Sequence, residues 1–174
     1  MLLSDAIKLI HDDSLIRKNS IWADLGCGSG LFSYALANIV IEESIIYAID
    51  KSFSKLTDLP NPNQIPVIKV NSDFEKDDLQ LKNLNGILMA NSLHFVKDKE
   101  SLLKNISKSL KSDGAFLFVE YDTQIANPWV PFPIQYEILS RLLEKTGFSS
   151  GIRLREMSSV FGPTKIYSAL FRRP

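Results

Sequence analysis

Short apolar runs rich in β-branched residues alternate along this chain with longer segments of helical periodicity. The runs predict strands at Ser20 to Leu25, Ile45 to Asp50, Pro66 to Val70, Gly86 to Ala90 and Ala115 to Tyr121. The segments between them predict helices at Leu31 to Ile39, Ser52 to Leu59, Lys76 to Leu84 and Lys99 to Leu110, the last stopped by Ser112-Asp113-Gly114. Strands that alternate with helices form mostly parallel sheets covered on both faces, so the order predicts a doubly wound α/β fold.

The pattern changes after the fifth strand. A proline-dense stretch, residues 127–133, leads to a predicted helix from Ile134 to Thr146 and then to two strands. The first, Ile152 to Met157, alternates apolar and charged residues, as an edge strand with one wetted face does. The second, Lys165 to Phe171, is apolar on both faces, which predicts a position between two neighbours. The short link leaves no room for a crossover helix, so we expect these two strands to be antiparallel.

Length and composition predict one folded domain over residues 1–174. The chain is 45% hydrophobic and 23% charged, with no internal repeat. Its formal net charge of zero provides no field for attracting nucleic acid or an anionic membrane. No apolar run approaches the roughly 20 residues that cross a bilayer, and the lone cysteine suits a reducing compartment. We therefore expect a cytoplasmic protein that binds neither nucleic acid nor membrane.

The chemistry of the chain begins at the first strand-to-helix turn, Asp24-Leu25-Gly26-Cys27-Gly28-Ser29-Gly30. Three glycines at alternate positions let the backbone turn sharply beneath a ligand, although a tight loop without a ligand is the plainer reading. In the dinucleotide fingerprint the third glycine would fall at Leu31, so this spacing is different. Asp24 precedes the turn, and its carboxylate repels phosphate and attracts an ammonium group.

Two further acidic residues end the next two predicted strands. Asp50 can accept hydrogen bonds from both hydroxyls of a ribose. Asp73 can accept from an adenine amine while Phe74 lies against the ring. Each Asp alone could simply cap a turn or a helix. Together with Asp24 they indicate a cofactor with adenosine at one end, an ammonium group at the other and no phosphate between, a description that S-adenosylmethionine meets.

These motifs make the chain resemble the class I S-adenosylmethionine-dependent methyltransferases over nearly its whole length. Residues 21–30 resemble the first motif of that family, and Tyr47-Ala48-Ile49-Asp50 resembles the second. Asp73 with Phe74 resembles the adenine-contacting motif, with Ser72 at a position where glycine is usual. The cofactor-binding residues that the resemblance implies are Asp24, Gly26, Cys27, Gly28, Gly30, Asp50, Lys51, Asp73, Phe74 and Asn91.

Two later segments extend the resemblance. Residues 85–95 are similar to the fourth-strand motif, with Gly86 where the small-molecule enzymes usually carry an acidic residue, and residues 110–120 resemble the turn and fifth strand. The resemblance implies a seven-stranded sheet with a reversed strand inserted before the edge. It also implies an enzyme that transfers a methyl group from S-adenosylmethionine. We expect no metal site.

Methyl transfer depends mainly on holding the acceptor in line with the donor. A base helps when the acceptor keeps its proton, and His94, just past the fourth strand, is the first candidate. The alternative is that His94 only satisfies a helix start. Tyr121, with Glu120 and Asp122, is a second candidate, against ordinary polarity at a strand end. Cys27 is more readily a small packing residue than a nucleophile.

The acceptor is less well specified. After the fourth strand, Asn91-Ser92-Leu93-His94 lacks the motif of adenine-methylating enzymes, so we expect a small-molecule acceptor. Trp129 and Phe132 are predicted to form one wall of its pocket, the alternative being that both rings pack into the core. The pocket is expected to be open or to be completed by a second subunit of a homodimer. Two rival functions are a cofactor-binding module without turnover and a nicotinamide oxidoreductase, which the glycine spacing disfavours.

Overall fold

The structure is a computed structural model that describes residues 1–52, 54–149, 151–159 and 164–173. Its sheet contains seven strands: β1 (Ile21–Leu25), β2 (Ile45–Asp50), β3 (Val67–Asn71), β4 (Leu84–Ala90), β5 (Leu110–Tyr121), β6 (Ile152–Ser158) and β7 (Lys165–Arg172). They lie in the order β3-β2-β1-β4-β5-β7-β6. The five strands β1 to β5 are parallel to one another, and β7 pairs antiparallel with both of its neighbours, β5 and β6. The prediction of a doubly wound, mostly parallel sheet of seven strands with a reversed strand inserted before the edge strand is thus confirmed.

Helices cover both faces of this sheet because each carries one apolar side. They are α1 (Leu3–Ile10), α2 (Leu31–Ala37), α3 (Lys99–Ile106) and α4 (Tyr136–Lys145), with 3-10 turns at Asp13–Leu15, Leu93–Phe95 and Ser107–Ser109. One buried cluster joins the sheet to α1 and α2, and a second joins it to α3 and α4. Helix α1 was not predicted, although its buried residues Ala6, Leu9 and Ile10 show helical spacing.

The predicted helix at Ser52 to Leu59 is wrong, since residues 54–59 form no regular element and Phe53 lies outside the described residues. Leu56 and Leu59 are its only described half-buried residues, and an isolated helix this short is marginal without a full apolar face. Tertiary contacts hold the segment as a loop instead. The N–H of Thr57 donates to Ser29 O at 2.9 Å, and the side chain of Leu56 packs against Gly30.

The predicted helix at Lys76 to Leu84 is also wrong. Gln80 and Asn83 adopt positive φ angles of 51° and 57°, which break helical geometry. Leu79 and Leu81, two positions apart, both pack against the cluster under α3 and α4. That spacing suits an extended segment rather than a helix, and the chain passes directly into β4 at Leu84.

The predicted glycine stop at Ser112-Asp113-Gly114 is the third wrong element. Helix α3 ends at Ile106, and β5 already begins at Leu110. The pairing between β4 and β5 shifts between Leu84 and Gly86, where the partner on β5 moves from Leu110 to Ala115. Residues 111–114 therefore bulge out within the strand rather than form a turn before it.

Gly86 has a packing role at the centre of the sheet. It lies opposite Trp22 in the β1–β4 pair, and a Cβ atom at position 86 would overlap three carbons of the Trp22 ring. An indole placed against the backbone of its neighbouring strand excludes any side chain there. This packing explains why glycine occupies a position where the resembling enzymes usually carry an acidic residue.

The parallel strands place their carboxyl ends along one edge of the sheet. Asp50, Asn71, Ala90 and Tyr121 end β2, β3, β4 and β5 at this edge, and the turn after β1 lies among them. Open α/β sheets bind their ligands at such an edge. In the part of the chain that the structure describes, no helix is long and apolar enough to cross a membrane.

Candidate functional site

The glycine-rich turn after β1 is held by backbone hydrogen bonds that it donates to β2. The N–H groups of Gly26 and Cys27 donate to Ile49 O at 2.8 and 3.0 Å. Gly26 has a φ of 80°, and a Cβ there would lie 2.5 Å from the Cβ of Ser92. Only glycine fits this position, because the backbone is left-handed and Ser92, just after β4, leaves no room for a side chain.

Asp24 is a buried carboxylate with one unsatisfied oxygen. Its Oδ2 accepts a hydrogen bond from Ser33 Oγ at 2.5 Å, whereas Oδ1 is buried without a partner. Burial, together with the nearby charge of Asp50, raises the pKa of Asp24 to about 7 against the opposing effects of Ser33 and Lys69. A cationic donor at this position would satisfy Oδ1 and favour the ionised carboxylate.

Asn91 supplies a second unsatisfied oxygen nearby in the fold. It follows β4, which pairs directly with the strand that carries Asp24, and its Oδ1 is also buried without a partner. Asn91 has a φ of 53°, held by a hydrogen bond from its N–H to Val119 O. Buried polar atoms are almost always paired, so two such acceptors at adjacent strand ends fit an ammonium group.

Asp50 holds the turn together while keeping free acceptor capacity. Its Oδ2 accepts from the N–H of Gly28 and its Oδ1 from the N–H of Ser52, each at 2.8 Å. Each carboxylate oxygen has a further lone pair, so the group can still accept two hydroxyl hydrogen bonds. The pair of hydroxyls on a ribose is a ligand of this kind.

A small pocket opens between the ends of β1, β2, β3 and β4. Its lining brings together five of the ten predicted cofactor residues, Gly26, Asp50, Lys51, Asp73 and Phe74, with Glu75, Ser92 and Phe95. Asp73 Oδ1 accepts from the N–H of Glu75 at 3.1 Å, which fixes the carboxylate at the pocket. The remaining predicted residues, Asp24, Cys27, Gly28, Gly30 and Asn91, belong to the adjoining turn and strand ends but do not line this pocket.

Cys27 has the surroundings of a packing residue. It is buried, and burial together with the nearby charge of Asp24 raises the pKa of its thiol to about 12. A thiol of such high pKa stays protonated and is a poor nucleophile. Its Sγ instead accepts a hydrogen bond from Lys69 Nζ at 3.4 Å.

His94 is buried in direct contact with Glu120, the second-to-last residue of β5. His94 Nδ1 lies 2.6 Å from Glu120 Oε2, and the two side chains are 3% and 1% exposed. Glu120 Oε1 also accepts from the N–H of Leu93 at 2.8 Å. The carboxylate of Glu120, rather than His94, therefore satisfies the start of the 3-10 turn Leu93–Phe95.

The two residues after Glu120 have different surroundings. The Tyr121 ring lies 5.7 Å from that of His94, and burial raises the pKa of its hydroxyl, which makes it a hydrogen-bond donor rather than a base. Asp122 forms an ion pair with Arg153 at 3.2 Å and accepts from the N–H of Tyr136 at 3.2 Å. Asp122 thus joins β5 to α4 and β6.

A larger pocket of about 730 Å³ lies beyond the end of β5. Its described lining residues are Tyr121, Thr123, Ile125, Asn127, Trp129, Val130, Ser159 and Thr164. Trp129 is 83% exposed and Phe132 is 39% exposed, so neither ring packs into the core. Trp129 lines the pocket, whereas Phe132 is absent from this described lining and lies beside Lys99, whose Nζ is 5.7 Å from the ring centroid.

Sequence reasoning did not single out several residues of the two pockets. In the small pocket these are Ser92, which packs on Gly26, together with Glu75 and Phe95. In the larger pocket they are Thr123, Ile125, Ser159 and Thr164. The fourth-strand motif contained Ser92 and Phe95 and could have pointed to them. No local sequence pattern marks the hydroxyl residues of the larger pocket, because they come together only when β5 pairs with β7.

Comparison with known proteins supports one family. The family model of the methyltransferase domain matches residues 23–118, more than half of the chain. No curated protein sequence matches the chain.

Three solved structures share the fold. The first is the 1,6-didemethyltoxoflavin-N1-methyltransferase of Burkholderia thailandensis with bound 1,6-didemethyltoxoflavin and S-adenosylhomocysteine (TM-score 0.70, 18% identity, 98% of this chain and 77% of that chain). The second is the magnesium protoporphyrin IX methyltransferase of Synechocystis PCC 6803 with bound S-adenosylmethionine (TM-score 0.63, 13% identity, 99% of this chain and 78% of that chain). The third is an S-adenosylmethionine-dependent methyltransferase from Aquifex aeolicus (TM-score 0.60, 16% identity, 98% of this chain and 98% of that chain).

Proposed function

The chain belongs to the methyltransferase-domain family, the class I S-adenosylmethionine-dependent enzymes, and from this premise we propose that it methylates a small organic acceptor. One observation carries the proposal. The cofactor motifs and a second, larger pocket lie at the same edge of the sheet, with His94 between Phe95 of the small pocket and Tyr121 of the larger one. The His94 ring lies 4.4 Å from that of Phe95.

The residues present fit the cofactor that the family uses. The unpartnered oxygens of Asp24 and Asn91 would accept from its ammonium group, and Asp50 would accept from its ribose hydroxyls. Asp73 and Phe74 would hold the adenine. When bound, S-adenosylmethionine supplies an activated methyl group on a sulfonium. The chain then has to hold the acceptor in line and to take up any proton that the acceptor loses.

The larger pocket supports a small, uncharged acceptor. Its volume of about 730 Å³ lies within the roughly 300–1,000 Å³ of sites for small molecules. Its described lining combines Ile125, Val130 and Trp129 with hydroxyl groups and one amide, and contains no charged side chain. The Burkholderia and Synechocystis enzymes are named for small-molecule substrates, 1,6-didemethyltoxoflavin and magnesium protoporphyrin IX. A cytoplasmic location, a single domain and a homodimer remain predictions from the sequence.

We expect Asp50→Ala to weaken binding of S-adenosylhomocysteine tenfold or more. Two ribose hydroxyls would lose a charged acceptor, and hydrogen bonds to charged groups contribute about 1.5–3 kcal/mol each. Isothermal titration calorimetry measures the affinity, and Glu100→Ala, an exposed acidic residue of α3, is the control. Unchanged affinity in Asp50→Ala would refute the ribose assignment.

We also expect the affinity for S-adenosylhomocysteine to fall with acidification. Asp24 has a pKa of about 7 in the free protein, set by burial, with Ser33 and Lys69 opposing the rise and Asp50 adding to it. An ammonium ligand favours the ionised carboxylate, so the complex binds fewer protons than the free protein. Below about pH 7 the affinity should drop by up to about tenfold per pH unit. The Asp24→Asn variant should lack this slope, and an identical slope in both proteins would contradict the assignment.

Trp129→Ala should leave stability nearly unchanged and reduce acceptor binding. The ring is 83% exposed, so its removal creates no cavity. A control in the core, Phe148→Ala, removes a ring that is 4% exposed and should cost about 3–5 kcal/mol of the free energy of unfolding. Thermal unfolding separates the two variants, and a comparable loss of stability in Trp129→Ala would rule out a pocket wall.

A further inference from the structure

We propose that Glu120 is a positioning residue, which holds the His94 ring with its proton on Nδ1 and so makes Nε2 the basic nitrogen of the site. It follows that the acceptor atom carries a proton, as a hydroxyl or an N–H group does. This inference rests on the proposed function and deepens it by naming the class of acceptor.

Glu120 uses its two oxygens for different partners. Oε1 accepts from the backbone N–H groups of Leu93 and His94, at 2.8 and 3.2 Å. Oε2 lies 2.6 Å from His94 Nδ1. Two backbone donors occupy Oε1, so Oε2 is the oxygen that contacts the imidazole. Because an ionised carboxylate oxygen only accepts hydrogen bonds, Nδ1 must carry the proton and donate it to Oε2.

The two backbone contacts alone do not explain why residue 120 carries a charged carboxylate. A neutral amide oxygen would accept from the two backbone N–H groups equally well, and burying a carboxylate is costly without a partner. The second oxygen, directed at Nδ1, is what distinguishes glutamate from glutamine here. A carboxylate on one ring nitrogen fixes the tautomer and the orientation of a histidine, as it does in hydrolase triads.

The other ring nitrogen remains available. Among the described residues, Asp24 Oδ1 and Asn91 Oδ1 are the polar side-chain atoms enclosed without a partner. No hydrogen bond joins His94 Nε2 to a described residue, so this nitrogen keeps its capacity to accept a proton. The ring is flanked by Phe95 and Tyr121, one residue from each pocket.

The remaining polar groups around the pair do not compete for Nε2. Lys99 Nζ donates to Val96 O at 2.6 Å, and the Tyr167 hydroxyl donates to Ile134 O at 3.1 Å. The hydroxyl of Tyr121 is held protonated by burial, which raises its pKa. His94 is therefore the base that this arrangement offers.

A base at this position defines the acceptor. The acceptor atom gives its proton to Nε2 of His94 and uses the freed electron pair to bond to the methyl carbon. The electron pair of the broken sulfur–carbon bond stays on sulfur, so the charges balance, with an imidazolium and a neutral thioether as the other products. A tertiary amine has no proton to give and would gain nothing from the His94–Glu120 pair. Phenols and aromatic N–H compounds are the acceptors that fit an uncharged pocket beside this base, which contacts the pocket residue Tyr121.

Nitrogen-15 NMR of the histidine rings tests the positioning role without an acceptor. The chain has 2 histidines, and a His94→Gln sample identifies the signals of His94. In the ligand-free parent at mildly alkaline pH, we expect the proton on Nδ1 and an unprotonated Nε2. A parent ring with its proton on Nε2 would overturn the proposal.

The Glu120→Gln variant makes the test sharper. Its amide oxygen must still accept from the N–H groups of Leu93 and His94, so its amide nitrogen faces Nδ1 and donates to it. The ring proton should then move to Nε2, whereas Glu137→Gln, which removes an exposed charge on α4, should leave the tautomer unchanged. A Glu120→Gln ring that keeps its proton on Nδ1 would overturn the proposal.

Assays with labelled S-adenosylmethionine then test the acceptor class, using a panel of phenols, aromatic N–H heterocycles and tertiary aromatic amines. Transfer to a phenol or N–H compound should fall about a hundredfold or more in Glu120→Gln, with unchanged affinity for S-adenosylhomocysteine. Transfer to a phenol or N–H compound at equal rates in both proteins, or transfer to tertiary amines alone, would overturn the inference. Absent binding of S-adenosylhomocysteine by the parent would instead refute the proposed function, because the tautomer is measured independently of the cofactor.

Discussion

The His94→Gln variant is expected to transfer methyl groups about a hundredfold to ten-thousandfold more slowly than the parent chain. Glutamine keeps a polar side chain next to Glu120 but cannot take up the proton of an acceptor. Single-turnover assays with any acceptor that the parent methylates measure the rate of the chemical step.

Two controls separate chemistry from folding in this variant. The affinity for S-adenosylhomocysteine should be unchanged, since the described lining of the small pocket contains Phe95 but not His94. The midpoint of thermal unfolding shows whether the loss of a buried ring has disturbed the fold. If the rate survives the substitution, His94 is structural and the enzyme works by positioning alone.

The Gly86→Ala variant is expected to lose about 3 kcal/mol of the free energy of unfolding, the upper part of the range for overpacked cores. The new methyl group would overlap the six-membered ring of Trp22 at the centre of the sheet. Trp22 is 3% exposed and belongs to the cluster beneath α1 and α2, so the ring has little room to move. Chemical denaturation measures the loss.

A double-mutant cycle with Trp22→Leu isolates this contact. Trp22→Leu removes the ring carbons that the new methyl would meet, so Gly86→Ala should cost much less in that background. Additive losses in the double variant would show that the destabilisation has another origin than the overlap with Trp22.

The sheet was predictable because its signals are local. Each parallel strand is a short apolar run ended by a polar or glycine-rich turn, as at Asp50 and at Gly26. The apolar character of Lys165–Arg172 on both faces indicated its place between two neighbours, and the alternation in Ile152–Ser158 indicated an edge.

The wrong elements were decided by contacts that a local pattern does not contain. Leu79 and Leu81 look like part of a weak helix, but both pack against the sheet from an extended segment. The Ser112-Asp113-Gly114 sequence is typical of a helix stop, yet it forms a bulge because β5 pairs on either side of it. Helix α1 is short, and its apolar side became evident only once packed against α2.

The candidate site likewise contains residues that local motifs indicate and contacts that only the folded chain reveals. Asp24, Asp50 and the glycines between them form motifs with fixed spacing, so the sequence alone indicates which residues would hold the cofactor. The contact of His94 with Glu120 was not, because the two residues are separated by 26 positions and meet only through the pairing of β4 with β5. The unpartnered oxygens of Asp24 and Asn91 likewise became apparent only when burial was known.

Binding of S-adenosylhomocysteine by the parent chain tests the central claim most directly. A ligand at a hundred times its dissociation constant stabilises a protein by about 2.7 kcal/mol, which thermal unfolding detects, and calorimetry gives the stoichiometry. We predict saturable binding at one site per chain, competition by S-adenosylmethionine, and no stabilisation by NAD⁺ or NADH. Stabilisation by a nicotinamide cofactor alone, or no saturable binding of S-adenosylhomocysteine, would contradict the account.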